Sequence, residues 1–248
     1  MAPPVASALR APASVAHLVW RADSLASAPP GIGTGHAALD AVLPGGGWPV
    51  GALTEVLVPH TGVGELGLIL PLLRHIPERQ WAVCIAPPGQ LYAPALAGMG
   101  IRLDRLLCVD AASPAHARWA ARQSLNSRSC KAVVMWLAEA DNSALRRLQL
   151  AAEESATALI LIRPASFASQ PSPAVLRLAL AARDGGVDVR ILKRRGPQLA
   201  GPVGIDLPDH PSHSAPLHPS PRPSHAALPL VRPLPARSAP ADLRAGAA

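Results

Sequence analysis

From Thr54 onward, short runs of consecutive apolar residues alternate with longer stretches in which apolar positions recur every three or four residues. Uninterrupted apolar runs suit strands buried on both faces, and the periodic stretches suit helices that cover them. The pattern predicts strands at 53–58, 81–86, 105–109, 131–137 and 157–162, and helices at 64–76, 91–99, 115–127 and 142–155. Asn142 or Ser143 is placed to cap the last helix. Pro71 lies inside the first and should kink or shorten it, because it removes a donor and crowds the preceding turn. Two further strands, 174–181 and 187–193, meet at Asp184-Gly185-Gly186, where the glycines suit a tight hairpin. The expected fold class is α/β, with a mainly parallel sheet flanked by helices and an antiparallel pair finishing the sheet at its C-terminal end.

The two ends of the chain follow a different pattern. Residues 1–13 are rich in Ala and Pro and are expected to be disordered. Val15, Leu18, Val19, Ala22 and Leu25 then recur at helical spacing, and Pro29-Pro30-Gly31 ends that helix. A small helix over His36–Val42 closes at the glycine cluster 45–47, beside which Trp48 is expected at the surface. Residues 208–248 carry too little apolar periodicity to offset the entropy of ordering them and are expected to form a disordered, Pro-rich, mildly basic tail. The chain thus divides into 1–13, 14–50, a core at 51–207 and the tail. Within the tail, Leu228, Leu230 and Val231 form an apolar island suited to extended docking on a partner. Its histidines, His210, His213, His218 and His225, match no metal-site spacing.

Composition narrows the function classes. The 248 residues are 49% hydrophobic and 16% charged, which suits one α/β domain, while 29 prolines exceed what such a domain accommodates and require irregular segments. The net charge of +7 permits anionic partners, but Lys131 and Lys193 are the two lysines, and an arginine-rich composition with a basic tail reaches the same total. Cys84, Cys108 and Cys130 sit far apart in apolar runs and read as buried thiols of a reducing compartment. The proline-interrupted N-terminus and the absence of a bilayer-length apolar run predict a cytoplasmic protein with no membrane contact. The five tryptophans do not interleave with basic residues, so most are expected in the core. Candidate partner contacts are Trp48, Arg146 and Arg147 on the helix after Asp141, and the basic turn Lys193-Arg194-Arg195.

The decisive segment is EVLVPHTGVGELGL, Glu55–Leu68: a strand, a glycine-containing turn and a helix start, which is the context of a phosphate-binding loop. Such a loop needs G-x-x-x-x-G-K-[ST], in which backbone N–H groups cradle the phosphates, lysine reaches the terminal phosphates and the hydroxyl holds magnesium. Here the loop reads Val58, Pro59, His60, Thr61, Gly62, Val63, Gly64, Glu65, Leu66. Val58 replaces the first glycine, and Glu65 and Leu66 replace lysine and hydroxyl. A carboxylate at that point repels a polyphosphate, so nucleotide binding should be weak or absent and no cofactor is expected.

The stretch IGTGHAALDAVLPGGGWPVGALTEVLVPHTGVGEL, Ile32–Leu66, resembles the start of the RecA recombinase core: T-G-x-x-x-L-D, a glycine-rich linker, then G-x-[LI]-x-E-[IV] leading into the phosphate loop. It resembles more closely the ImuA family of RecA-like proteins from bacterial mutagenesis cassettes, in which G-E-L is typical at this loop. LVWRADSLA, Leu18–Ala26, is similar to the N-terminal helix of that family, and the likeness extends from about residue 14 to about residue 207. Against RecA, the strand WAVCIAPPG ends in Pro87-Pro88 where RecA carries a catalytic carboxylate, and Trp136 or Leu137 stands at the metal-side aspartate position. Glu139 and Asp141 follow further on and should face solvent. The segments matching RecA's two DNA-gripping loops shrink to Ala138–Ser143 and Pro164–Pro173, the second without Lys or Arg.

The resemblance implies a RecA-like pseudo-ATPase acting as a non-catalytic accessory protein of SOS-inducible error-prone translesion DNA synthesis. The partners it implies are an ImuB-like Y-family protein, a C-family error-prone polymerase through it, and RecA, with DNA contact indirect or weak. Two alternatives belong to other classes: a division inhibitor of the SulA type that binds FtsZ, and an ATPase with an atypical loop.

Overall fold

A computed structural model describes residues 28–207. The expected N-terminal helix, the tail histidines and the island Leu228, Leu230 and Val231 lie outside the described residues. Eight strands form one sheet in the order β3-β2-β4-β5-β1-β6-β7-β8. They are β1 (Ala52–Val58), β2 (Trp81–Ile85), β3 (Leu106–Val109), β4 (Cys130–Trp136), β5 (Ala158–Pro164), β6 (Leu176–Arg183), β7 (Gly186–Lys193) and β8 (Val203–Asp206). All pairings from β3 to β6 are parallel, and β6–β7 and β7–β8 are antiparallel. The mixed α/β class and the predicted strands are therefore present, with one correction: β8, not β7, ends the sheet. Its four residues contain a single buried apolar side chain, Ile205, which is too short a run to signal a strand.

Helices α1 (Ala37–Asp40), α2 (Glu65–Arg74), α3 (Ala93–Gly98), α4 (Pro114–Asn126) and α5 (Asn142–Ser155) cover the sheet. One face packs β1, β2 and β4 side chains against Leu39 of α1, Leu68 and Leu72 of α2 and Leu96 of α3. The other packs Leu53, Val83, Met135 and Leu159 against Ala121 and Leu125 of α4 and Leu145 and Leu148 of α5. Burying both sheet faces explains why the central strands read as unbroken apolar runs. Pro71 stays inside α2, which ends at Arg74, two residues earlier than the pattern predicts. The α5 cap is Asp141, not Asn142 or Ser143: its Oδ1 accepts from the Ala144 N–H at 2.6 Å and from the Ser143 hydroxyl at 3.1 Å.

The T-G-x-x-x-L-D segment folds as a clamp. The Thr34 N–H donates to Asp40 Oδ1 at 2.8 Å, and the Thr34 hydroxyl oxygen accepts from the His36 N–H at 3.1 Å, so both polar residues fix the start of α1. Gly35 has φ +82°, and a Cβ there would stand 2.3 Å from Pro71 Cβ, which makes glycine obligatory where α1 meets α2. Burial pushes the His36 imidazole below its ordinary value, against the opposing pull of its bond to the Leu68 backbone and of Asp40. A folded value below the unfolded one means that the unfolded chain binds the proton more readily. This contribution to stability is complete above the ordinary imidazole value of about 6.5 and declines as pH falls through it. Thermal melts at pH 7.5 and 5.5 should show a smaller acid-induced loss for His36→Gln than for the parent protein, and equal losses would refute the assignment.

Trp48 corrects the expectation of a surface tryptophan. Its backbone pairs with Ile32 through bonds of 2.7 and 2.9 Å, the flanking glycines allow that approach, and the indole is 0% exposed within the core. Cys108 is a second correction: it is exposed because β3 is an edge strand, whereas Cys84 and Cys130 are buried. Burial pushes the Cys84 thiol up to about 12, as expected of an inert core cysteine.

Candidate functional site

The carboxyl ends of β1, β4 and β5 meet where α2 leaves toward one face of the sheet and α5 toward the other, the position at which open α/β sheets bind ligands. A cleft of about 230 Å³ opens there, lined by Val58, Pro59, His60 and Thr61 after β1, Pro88 after β2, Trp136, Leu137 and Ala138 after β4, and Ile162, Arg163 and Pro164 of β5. The structure thus brings Val58, Pro59, His60, Thr61, Pro88, Trp136 and Leu137 together at one cleft, with Pro87 outside its lining. Trp136 and Leu137 are buried, and no carboxylate is among the lining residues. Glu139 and Asp141 face solvent as expected.

The loop Pro59–Gly64 turns through Gly62 at φ +85° and Gly64 at φ +118° into α2. A Cβ on Gly64 would lie 2.5 Å from Val187 and 2.8 Å from Leu207, so packing as well as conformation requires glycine. Glu65 opens the helix but does not point outward toward an incoming anion. It is 3% exposed, and its carboxylate folds back into the loop. Oε1 accepts from the Gly62 N–H at 2.8 Å, and Oε2 accepts from Gly62 at 3.1 Å and from Gly64 at 3.2 Å. Successive N–H groups at a helix start form the natural seat for an anion, and here the chain's own carboxylate sits in it. The sequence suggests repulsion of a polyphosphate; the geometry shows the seat already filled.

Behind the cleft lies a buried charge cluster that sequence reasoning missed. Glu55 of β1 is 0% exposed and bonds Arg163 Nη1 of β5 at 2.8 Å and Arg177 Nε of β6 at 2.6 Å. Other guanidinium donors reach outward to main-chain carbonyls, Arg163 Nη2 to Ala140 at 3.2 Å and Arg177 to Phe167 and Ala168 at 2.9 and 3.1 Å, while Arg163 Nε is buried without a partner. Arg163 also lies 4.0 Å over the Phe167 ring. The cluster therefore ties the loops after β4 and β5 to the central strand. The available signal was a charged residue isolated in each of three apolar runs, LTEVLV, LILIRP and VLRLAL.

The other candidate contacts are dispersed. Arg146 and Arg147 are exposed on α5. Of the basic turn, Lys193 donates to the Ser172 carbonyl at 2.9 Å, and Arg194 donates to the carbonyls of Val42 and Pro197; Arg195 is exposed. Two of these three cations thus serve the fold. A larger cavity, about 310 Å³, lies at the opposite end of the sheet by Pro49, Val50 and Ala52, where the polar groups of Gln149 and Glu153 bond each other at 2.7 Å. Among the described residues, no three His, Cys, Asp or Glu side chains converge as a metal site, and no helix is long and apolar enough to cross a membrane.

Comparison with known proteins adds likenesses to this geometry. The family model described as cell division inhibitor SulA matches residues 51–158, from β1 to the start of β5. ImuA proteins of two Caulobacter vibrioides strains are 32% identical over 131 residues, which is 50% of this chain and 54% of theirs. The chain thus spans about half the length of the curated relatives it matches. The crystal structure of SulA from Pseudomonas aeruginosa is 28% identical and covers 45% of this chain and 97% of its own, with a TM-score of 0.39. Over this core the chain is thus similar both to ImuA proteins and to the SulA family model.

Proposed function

We propose that this protein is a non-catalytic accessory factor of damage-inducible, error-prone translesion synthesis, built on a RecA-like core whose phosphate loop no longer serves ATP. The observation that carries this reading is the seating of the Glu65 carboxylate on the Gly62 and Gly64 N–H groups. An occupied anion seat, with no carboxylate lining the adjoining cleft to hold magnesium or activate water, leaves binding rather than catalysis as the task of this surface. Kinship with ImuA proteins supports the mutagenesis setting, and the partners proposed from it are an ImuB-like Y-family protein, a C-family polymerase through it, and RecA.

A second reading has its own support. The SulA model covers the central parallel strands, which favours a division inhibitor with FtsZ as partner. Affinity purification of the tagged full-length protein from its DNA-damaged native host separates the two. Recovery of a Y-family-like protein or RecA is the expected result, and its loss in a variant cut after Pro208 would place the contact in the tail. Recovery of FtsZ without either would replace the mutagenesis reading with the division reading.

A further inference from the structure

We propose that the outer face of α4 and α5 binds single-stranded nucleic acid directly, with Trp119 as the stacking platform and Arg118, Arg122 and Arg147 as phosphate contacts. A groove of about 170 Å³ runs between the two helices, lined by Ala115, Arg118, Trp119, Arg122, Ala144, Arg147 and Leu148. Three guanidinium-bearing residues and no carboxylate line it. Trp119 is 64% exposed, whereas the other large apolar side chains of these helices that face the sheet, Leu125, Leu145 and Leu148, are buried. Against the expectation that no tryptophan interleaves with basic residues, Arg118 and Arg122 of α4 are one helical turn apart and flank the indole in sequence, and α5 brings Arg147 to the same groove.

An exposed indole that covers no core contributes little to folding, but it offers a flat apolar face on which any unpaired base can stack. Arginine is the side chain suited to forked contacts with phosphate. An acidic peptide would satisfy the arginines but would leave the flat face of Trp119 without a matching partner, so stacking together with cationic lining favours a single strand. Arg146 and His116 are exposed nearby in the same helices and add to the positive field. Glu139 and Asp141 lie at one end of this surface, beside Arg118 and Arg147. Asp141 is directed to the α5 cap by its bonds to Ala144 and Ser143, which hold its carboxyl below the usual carboxylate range. The acidic end limits the strand's path to the Arg122 side. This surface lies outside the loop and cleft described above and is independent of which protein partners the family uses.

The test is fluorescence anisotropy of labelled oligo(dT) with the full-length protein across a salt series. Three phosphate contacts predict a log–log salt slope of about −2 from this groove, and Trp119→Ala should weaken binding roughly tenfold while Trp119→Phe retains most of it. Combined Arg118→Ala, Arg122→Ala and Arg147→Ala should flatten the slope by about 2, which distinguishes the groove from the arginines of the C-terminal region. These side chains are at the surface, so thermal melts should match the parent. Unchanged affinity in both variants, equal binding of duplex and single strand, or displacement of oligo(dT) by polyglutamate at matched charge would each overturn the proposal, the last in favour of an acidic protein segment.

Discussion

Alanine in place of Glu55 is expected to lower the unfolding free energy by about 3–5 kcal/mol, because it leaves the guanidinium groups of Arg163 and Arg177 buried with no carboxylate between them. That is a large fraction of the roughly 5–15 kcal/mol by which domains are stable, and the midpoint of urea unfolding measures it. The size of the effect comes from the charge left behind, not from the strength of the original pair. Replacing all three members together by apolar residues of similar volume, Glu55→Leu with Arg163→Met and Arg177→Met, should therefore recover most of the loss. The triple variant should still differ from the parent in one respect. The carbonyls of Ala140, Phe167 and Ala168 lose their donors, so limited proteolysis should cut faster near 165–173 even at equal stability. A Glu55→Ala variant within about 0.5 kcal/mol of the parent would show that the cluster is not desolvated as its burial implies.

The second large effect is expected at Glu65. Its removal in Glu65→Ala breaks the bonds to the Gly62 and Gly64 N–H groups and should cost about 1–3 kcal/mol, measured by the same unfolding midpoints. It also vacates the anion seat. Millimolar inorganic pyrophosphate should raise the melting temperature of the variant and leave the parent unchanged, because a ligand stabilises only the form that can bind it. Glu65→Lys with Leu66→Thr should go further and bind magnesium–nucleotide, yet without turnover, since the cleft still lacks a carboxylate near Pro87 and Pro88 and at Trp136. Robust magnesium-dependent ATP hydrolysis by the parent protein would falsify the accessory-factor reading at its base. A pyrophosphate response in the parent would show that the Glu65 carboxylate does not hold the seat.

Legibility in the sequence followed how local each feature is. Strands β1, β2, β4 and β5 could be read to within two residues because each is an apolar run buried on both sides, and helices α4 and α5 because their apolar positions recur at helical spacing. The Asp184-Gly185 turn was equally visible. The cap of α5 was misread by one residue, because Asp141, Asn142 and Ser143 are all competent caps and only the exact start of the helix chooses among them. Trp48, expected at the surface, is buried and Trp119 is exposed, each for a non-local reason. The glycines around Trp48 suggest an exposed linker until Ile32 pairs with it and buries the ring, and Trp119 sits in a helix whose buried face is set by alanines 117, 120 and 121.

The site shows the same division. Sequence alone determined that Glu65 and Leu66, not a lysine and a hydroxyl, follow Gly64 after β1, and that the core is α/β with a mainly parallel sheet, because residue identity and short-range periodicity are properties of the chain itself. Tertiary structure decided which way the Glu65 carboxylate points, that Glu55, Arg163 and Arg177 form one cluster although more than a hundred residues separate the first from the others, and that the arginines of two helices share a groove with Trp119. Those are facts of strand order and helix packing. The register that sets Glu55 directly against Arg177 exists only once β6 has crossed over to lie beside β1, and no local signal encodes that adjacency.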